Sequence, residues 1–495
     1  MKVFLLTLSL FLSFLFKARC QNELTISGSF PKKAGNLVVL TGQSGHIIKA
    51  IHTTAAGSFS ETVLLDPGYY NLNNTTVYLE PGMNVNIDGS DTETMFTGKG
   101  SAENIAFIQL SVLIEKYLPV EKQGTFSKTL SNEISSVSPE DFLKMTESYK
   151  ANAMDILNGQ QLSSFFKTTQ KQYIDYVARY YTNIYISKYG LDPERQKAYF
   201  KLSADMRQGT IPNNGPRLRA AADSMYVKKL DSVTRATFKQ MVWGGFDLDN
   251  EDVYKFSPEY RSLIDEWLRQ LLNEDWAQAR RSGAKPESIN LDMVNSKIKN
   301  NYIKQELLYQ YTFSALHFNT DIEKYYTEYI SAATDKTYIE RIKNSYNGIK
   351  LSAPGLPAPD FMYKDNNDNR FALSSFRGHY VYIYVWGLSM SLTTSEMQPF
   401  NSLCKKYEGK NIKFIGLSTD RDIAKWKDYV TNNNPAGIQL IVDNGFQSDF
   451  LKNLGISSFP HFILIDPDGK IVAGNADRPA KPALQGLLDK LLTKN

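Results

Sequence analysis

From Glu23 to about Gly100 apolar and polar positions alternate in short runs: LTISGSF, NLVVLTG, HIIKAIHTT, GSFSETVLL, TTVYLEPG and MNVNIDGS. The runs are rich in β-branched residues, and turn formers such as Asp66-Pro67-Gly68 and Glu80-Pro81-Gly82 separate them. Strands this short and this closely spaced predict a small sandwich or barrel over residues 21–100, and a sandwich is the expectation carried forward.

The period lengthens after Ser101. Ser138-Pro139-Glu140-Asp141 reads as an N-cap, a proline at the first helical position and acids in the first turn. Phe165, Phe166, Tyr173, Val177, Tyr181 and Ile184 recur at three- and four-residue steps up to a stop at Gly190. SPEYRSLIDEWLRQLLNEDW repeats that grammar from Ser257, a break falls between Arg280 and Pro286, and further helices run to about Asn347. The pattern predicts an all-α domain over 101–350 without a fixed repeat. The chain holds 29 tyrosines; those on these helices suit half-buried rim positions, with a partner surface as the alternative.

Ser352-Ala-Pro-Gly-Leu-Pro-Ala-Pro359 resists helix and reads as a linker. Beyond it FALSSF, VYIYVW, NIKFIGLST, IQLIVD and HFILID are strand-like, and helical stretches lie at about 394–408, 421–432, 446–454 and 480–493. Strands alternating with helices predict an α/β layer fold over 351–495. The whole is a multidomain chain: an all-β sandwich, a central all-α domain and a C-terminal α/β domain.

Composition adds little. A formal charge of +4 over 495 residues, with no dense Lys/Arg block, argues against nucleic acid as a partner. The N-terminus says more. Lys2 precedes an apolar core from Val3 to Phe16, too short to span a bilayer comfortably and suited to a secretory signal over residues 1–20. Ala18 and Cys20 fit small-x-small cleavage, leaving Gln21 as the mature start. A rival reading lipidates Cys20, against which Lys17 and Arg19 occupy positions where a lipobox takes a branched aliphatic and a small residue; an uncleaved anchor is the third. Membrane attachment is expected only through Cys20, and the expected location is the periplasm or cell envelope. Cys20 and Cys404 are the only cysteines, so loss or lipidation of Cys20 leaves one thiol and excludes a dithiol mechanism within the mature chain.

Seven pieces of the last segment occur in an order that resembles the thioredoxin-fold proteins of the TlpA and ResA type, relatives of the peroxiredoxins (AhpC/TSA). They are Gly355-Leu-Pro-Ala-Pro-Asp-Phe361, Leu373-Ser-Ser-Phe-Arg-Gly378, the strand Val381–Trp386, Glu396-Met397, Phe414-Ile-Gly-Leu-Ser-Thr-Asp420, Gly455-Ile-Ser-Ser-Phe-Pro460 and the hairpin Phe462–Val472. The resemblance implies a thioredoxin-like fold, a cis peptide at Pro460, and thiol-disulfide exchange by a CxxC that follows the Trp at a helix N-terminus. That setting lowers a thiol pKa through orphan N–H groups and the helix dipole. Here the chemistry departs. Counting from Trp386 or back from Glu396 puts Met390 and Thr393 in the two columns; counting back from Pro399 puts Ser391 and Thr394 there. Neither register holds a cysteine, so no catalytic residue is assigned. Cys404, fourteen residues after Met390, falls roughly 20 Å along the helix and reads as a packed residue.

What the resemblance leaves is a groove, expected at Trp386, Phe459, Pro460 and His461, where an extended peptide adds to the fold as if it were a strand. Trp386 reads first as a strand-end packing residue, with contact to a ligand in the groove the lesser reading. His461 beside Met390 also suggests a soft metal site, yet the five histidines (46, 52, 317, 379, 461) show no paired-ligand spacing, so no metal or cofactor is assigned. Phosphate-binding glycine loops and GxSxG are absent, and Asp247–Asp252 lacks the spacing of a Ca²⁺ loop. The favoured reading is an exported envelope protein that binds or scaffolds a peptide or protein partner. The alternatives are a thiol-disulfide oxidoreductase drawing a cysteine from elsewhere and, weaker, a Met/His metal carrier.

Overall fold

The computed structural model describes residues 23–493 except 32–34, 36, 43–46, 74, 90–93, 119, 124–126, 131, 208–210, 213, 282–290, 319–320, 389–394 and 457–458. The chain divides into two compact units, Met1–Ala284 and Lys285–Asn495. This division falls inside the stretch 101–350 expected as one helical domain.

The first unit opens with β1 (Glu23–Ser29), β2 (Leu37–Thr41), β3 (Ile47–His52), β4 (Ser58–Leu64), β5 (Gly68–Leu72), β6 (Thr75–Leu79), β7 (Asn84–Gly89) and β8 (Thr94–Lys99). They make two four-stranded sheets ordered β4-β1-β7-β8 and β3-β2-β5-β6. Alternation does what the pattern implies: Leu24 and Ile26 of β1, Val38 and Leu40 of β2, and Val85 and Ile87 of β7 are buried while their neighbours are not. β5 and β8 were not among the six runs, because GYYNL and TMFTGK carry little apolar alternation.

Among the described residues eight helices follow: α1 (Ser101–Tyr117), α2 (Pro139–Asn158), α3 (Ser164–Lys188), α4 (Pro193–Arg207), α5 (Gly215–Ser224), α6 (Ser232–Trp243), α7 (Glu251–Phe256) and α8 (Pro258–Arg281). A hairpin, β9 (Val120–Gln123) with β10 (Ser127–Leu130), interrupts them. The Ser138 hydroxyl accepts the Asp141 N–H at 3.1 Å, so the expected cap of α2 forms. α3 ends before Gly190, whose φ of 73° and close approach to the Lys228 carbonyl admit no side chain. On α1, Asn104 accepts the Tyr78 N–H at 2.8 Å and donates to the Tyr78 carbonyl at 2.9 Å, standing in for a neighbouring strand at the edge of β6. Some helix tyrosines, such as Tyr180, Tyr199, Tyr309 and Tyr338, are half-buried as expected, whereas Tyr149, Tyr181, Tyr185 and Tyr260 lie deeper and are essentially fully buried.

The second unit begins with α9 (Leu291–Lys297), α10 (Asn301–Phe318), α11 (Ile322–Ala332) and α12 (Lys336–Leu351). Then come β11 (Met362–Asp365), β12 (Arg370–Ala372), β13 (Tyr380–Trp386), α13 (Met397–Lys406), β14 (Ile412–Ser418), α14 (Ile423–Asn433), β15 (Ile438–Ile441), α15 (Asp449–Asn453), β16 (His461–Ile465), β17 (Ile471–Ala473) and α16 (Pro482–Leu492). Of the FALSSF run only Phe371-Ala372 is strand: Leu373–Phe376 turn into a 3₁₀ helix, with the Ser374 N–H held by Asp360 at 3.0 Å.

One seven-stranded sheet runs β12-β11-β15-β14-β13-β16-β17, with β13, β14 and β15 mutually parallel and β16 antiparallel to β13. β13 is apolar at almost every position because both of its faces are covered. Val381, Ile383 and Val385 enter one core with Leu417, Leu440 and Ile463. Tyr382, Tyr384 and Trp386 enter the other with Phe400, Trp426 and Leu484. The fold is thioredoxin-like.

Candidate functional site

The carboxyl end of β13 is where the site must lie, since the parallel strands deliver their following loops to that edge. Three residues at the end of β14 hold its exit. The Thr419 N–H and hydroxyl both donate to the Trp386 carbonyl, at 2.9 and 3.1 Å. The Asp420 carboxylate accepts the Leu388 N–H with both oxygens at 3.0 Å, and its own position is set by the Ser418 hydroxyl at 2.7 Å. These contacts fix Leu388 at the β13 exit. Met390, Ser391, Thr393 and Thr394, the positions read as a degenerate CxxC, lie outside the described residues.

Ser395-Glu396 lead into α13. Glu396 is buried at the start of α13, where its carboxylate meets the Arg478 guanidinium at 2.8 Å, with only 11% of the Glu396 side chain exposed. Pro399 and Leu403 lie further along α13, and Cys404 is half-buried against the Tyr382/Trp386 core.

From the other side, β16 brings in the proline. His461 pairs with Val385 across the antiparallel ladder, so Phe459 and Pro460 stand beside the β13 exit. The Phe459–Pro460 peptide is cis, as the resemblance implied. Phe459 is half-buried against the Val381/Ile383 core. The His461 Nε2–H donates to the Gly474 carbonyl at 2.7 Å. Burial pushes the His461 pKa below its ordinary value, outweighing the support of that carbonyl, and nearby His317 pushes in the same direction.

Of the expected groove residues, Phe459, Pro460 and His461 come together beside the β13 exit. Trp386 does not join them. Its ring is fully buried on the opposite face of β13, 5.5 Å from Tyr429, because side-chain direction alternates along the strand and position 386 follows Tyr384 into the second core. Trp386 is a packing residue.

Asp420 and the Glu396–Arg478 pair were not assigned a role from the sequence. A lone acid ending a strand carries no spacing signal, and Arg478 reaches Glu396 across 82 positions. Beyond Asp420, a cleft of about 630 Å³ opens between α14 and the β11–β12 turn, lined by Lys364, Asp368, Arg421, Lys427 and Asp443. Lys427 is already paired with Asp368 at 2.6 Å.

Residues 354–473 match the AhpC/TSA family. The C-terminal region is a thioredoxin-like domain of that family, of the TlpA and ResA type. It is 28% identical over 137 residues to the thiol-disulfide oxidoreductase ResA of Bacillus thuringiensis subsp. konkukian, covering 28% of this chain and 78% of the relative. Among solved structures, a candidate thiol-disulfide oxidoreductase from Bacteroides vulgatus is 34% identical, covering 28% of this chain and 97% of that one at a TM-score of 0.27. A thiol-disulfide oxidoreductase from Bacteroides fragilis is 27% identical, with 28% and 99% covered and a TM-score of 0.26. These matches each span under a third of this chain. Among the described residues no helix is long and apolar enough to cross a membrane, and no group of three or more His, Cys, Asp or Glu side chains is placed to hold a metal ion.

Proposed function

We propose that the thioredoxin-like domain of this AhpC/TSA-type chain binds an extended polypeptide beside Phe459-Pro460-His461 and does not exchange electrons with it, as part of a protein exported to the cell envelope. One observation carries the reading. The loop between Leu388 and Ser395 contains Ser, Met, Ser, Leu, Thr and Thr, whereas the elements that frame such a loop, from the β13 exit to the β16 start, are all in place. A methionine thioether does not attack disulfides, and a Ser or Thr hydroxyl neither ionises near neutral pH nor forms an S–S bond. Backbone groups at the rim of a sheet can still pair with an incoming chain. The relatives' names favour a second reading, in which the domain works as a thiol-disulfide oxidoreductase with a cysteine supplied from outside.

Two measurements on the mature chain test this. Insulin reduction with dithiothreitol should run at the background rate, and clear turnover that is lost in a Cys404→Ser chain would establish exchange chemistry instead. Fluorescein-labelled α-lactalbumin, reduced and carboxymethylated so that it is unfolded and thiol-free, should bind saturably. Hydrogen exchange should then slow at Gly387-Leu388 and at Phe459–His461. Absence of binding, or protection confined to other segments, defeats the proposal.

A further inference from the structure

Gly348 sits inside α12, where glycine weakens a helix relative to alanine because the unfolded chain has more freedom to lose. Its presence there calls for a packing reason. Directly opposite is Gly455, at φ 63°, two residues beyond α15 and five before Pro460. A Cβ on Gly348 would lie 2.0 Å from the Gly455 Cα and 2.3 Å from its nitrogen; a Cβ on Gly455 would lie 2.5 Å from the Gly348 Cα. Every atom in that contact is backbone, so nothing can swing aside.

Both partners are anchored. Leu454 and Ile456 flank Gly455 and are buried in the Val381/Ile383 core. On the helix side, Ile342, Ser345 and Tyr346 are buried along the face that carries Gly348. Neighbouring helices hold α12 in turn. The Gln305 side-chain carbonyl of α10 accepts the Thr334 and Asp335 N–H groups at 2.7 and 3.1 Å, just before α12 starts. Tyr309 stacks on Tyr338 at 4.7 Å, Tyr326 on Tyr346 at 3.8 Å, and the Tyr346 hydroxyl donates to Glu323.

We propose that Gly348 and Gly455 are a matched pair of positioning residues that fix Leu454–Ile456, the segment from which the chain leads to Pro460. The helices from Leu291 to Leu351 are therefore part of the binding unit and not a spacer before it. The link to ligand binding rests on the function proposed above; the link between helix and loop does not.

The sign of one substitution separates the alternatives. On helix propensity alone Gly348→Ala would raise the unfolding midpoint. The backbone contact reverses this: the midpoint should fall, and amide exchange over Leu454–His461 should accelerate at least ten-fold, while Asn347→Ala, on the exposed face of α12, neither lowers the midpoint nor accelerates that exchange. At a temperature where both proteins are folded, Gly348→Ala should also weaken carboxymethylated α-lactalbumin binding at least ten-fold. If the wild type does not bind that probe, the proposed function fails, and the exchange comparison still decides the glycine pair. If Gly348→Ala does not fold, native-state exchange of the wild type replaces it. Tyr346–Leu351 and Leu454–His461 should then open together with one denaturant dependence. A raised midpoint with unchanged loop exchange, or two segments opening with different dependences, would overturn the proposal.

Discussion

Cys404 offers a quantitative test of whether any thiol in the mature chain can do chemistry. It lies in the last turn of α13, away from the helix N-terminus whose dipole would favour a thiolate, and half-buried against the aromatic core of Tyr382 and Trp386. Burial pushes its thiol up to about 12 from an ordinary 9.0. The thiolate is the reacting form, so at pH 8 its share falls from about one in ten to about one in ten thousand, roughly a thousand-fold. The perturbation is therefore unfolding itself. In a Cys20→Ser chain, iodoacetamide at pH 8 should alkylate Cys404 about a thousand-fold more slowly when folded than in guanidinium, followed by intact mass. The linkage sign agrees: the neutral thiol is favoured in the folded state, so this contribution to stability is complete below about pH 9 and disappears as pH rises toward 12. Alkylation of the folded chain within ten-fold of the unfolded rate would refute the reasoning and reopen a role for Cys404 in exchange.

Three other substitutions or titrations probe the framework. Asp420→Ala removes the acceptor of the Leu388 N–H and should cost about 1.5–3 kcal/mol in urea unfolding, with faster exchange at Leu388; an unchanged Leu388 amide would show that the loop entrance is held by something else. Asn104→Ala leaves the Tyr78 N–H and carbonyl unpaired at the β6 edge and should cost roughly 1–3 kcal/mol for each buried group left unsatisfied. His461 should stay neutral to lower pH than an ordinary histidine, seen in its ring proton shifts. Because its folded value is depressed, the stability it contributes is present above about pH 6.5 and is lost as pH falls through the folded value; a His461 that titrates at or above 6.5 would contradict the burial argument.

Much of the second unit was legible in the residues, and the reason is local. β13 reads as a strand covered on both faces because consecutive apolar residues, Val381 to Trp386, must each find a core, and the structure sends alternate ones to opposite sides. The cap at Ser138 and the stop at Gly190 were legible for the same reason, being decided within a few residues. What stayed hidden depends on pairs distant in sequence. Periodicity marks the apolar face of α12 but not its partner, so a helix ending at Leu351 was grouped with those before it although its backbone touches Gly455. Trp386 read first as a packing residue and only secondarily as part of a groove beside the loop; the strand's two-residue period sends it to the interior. Asp420 is one acid among 52 acidic residues until folding carries it to the Leu388 amide. The same logic bears on function. Reactive atoms are a property of single residues, and their absence from residues 389–394 is visible in the sequence. A binding surface is a property of separated backbone segments held in register, and the register of the proposed surface would pass through Asp420, the β13–β16 ladder and the two glycines.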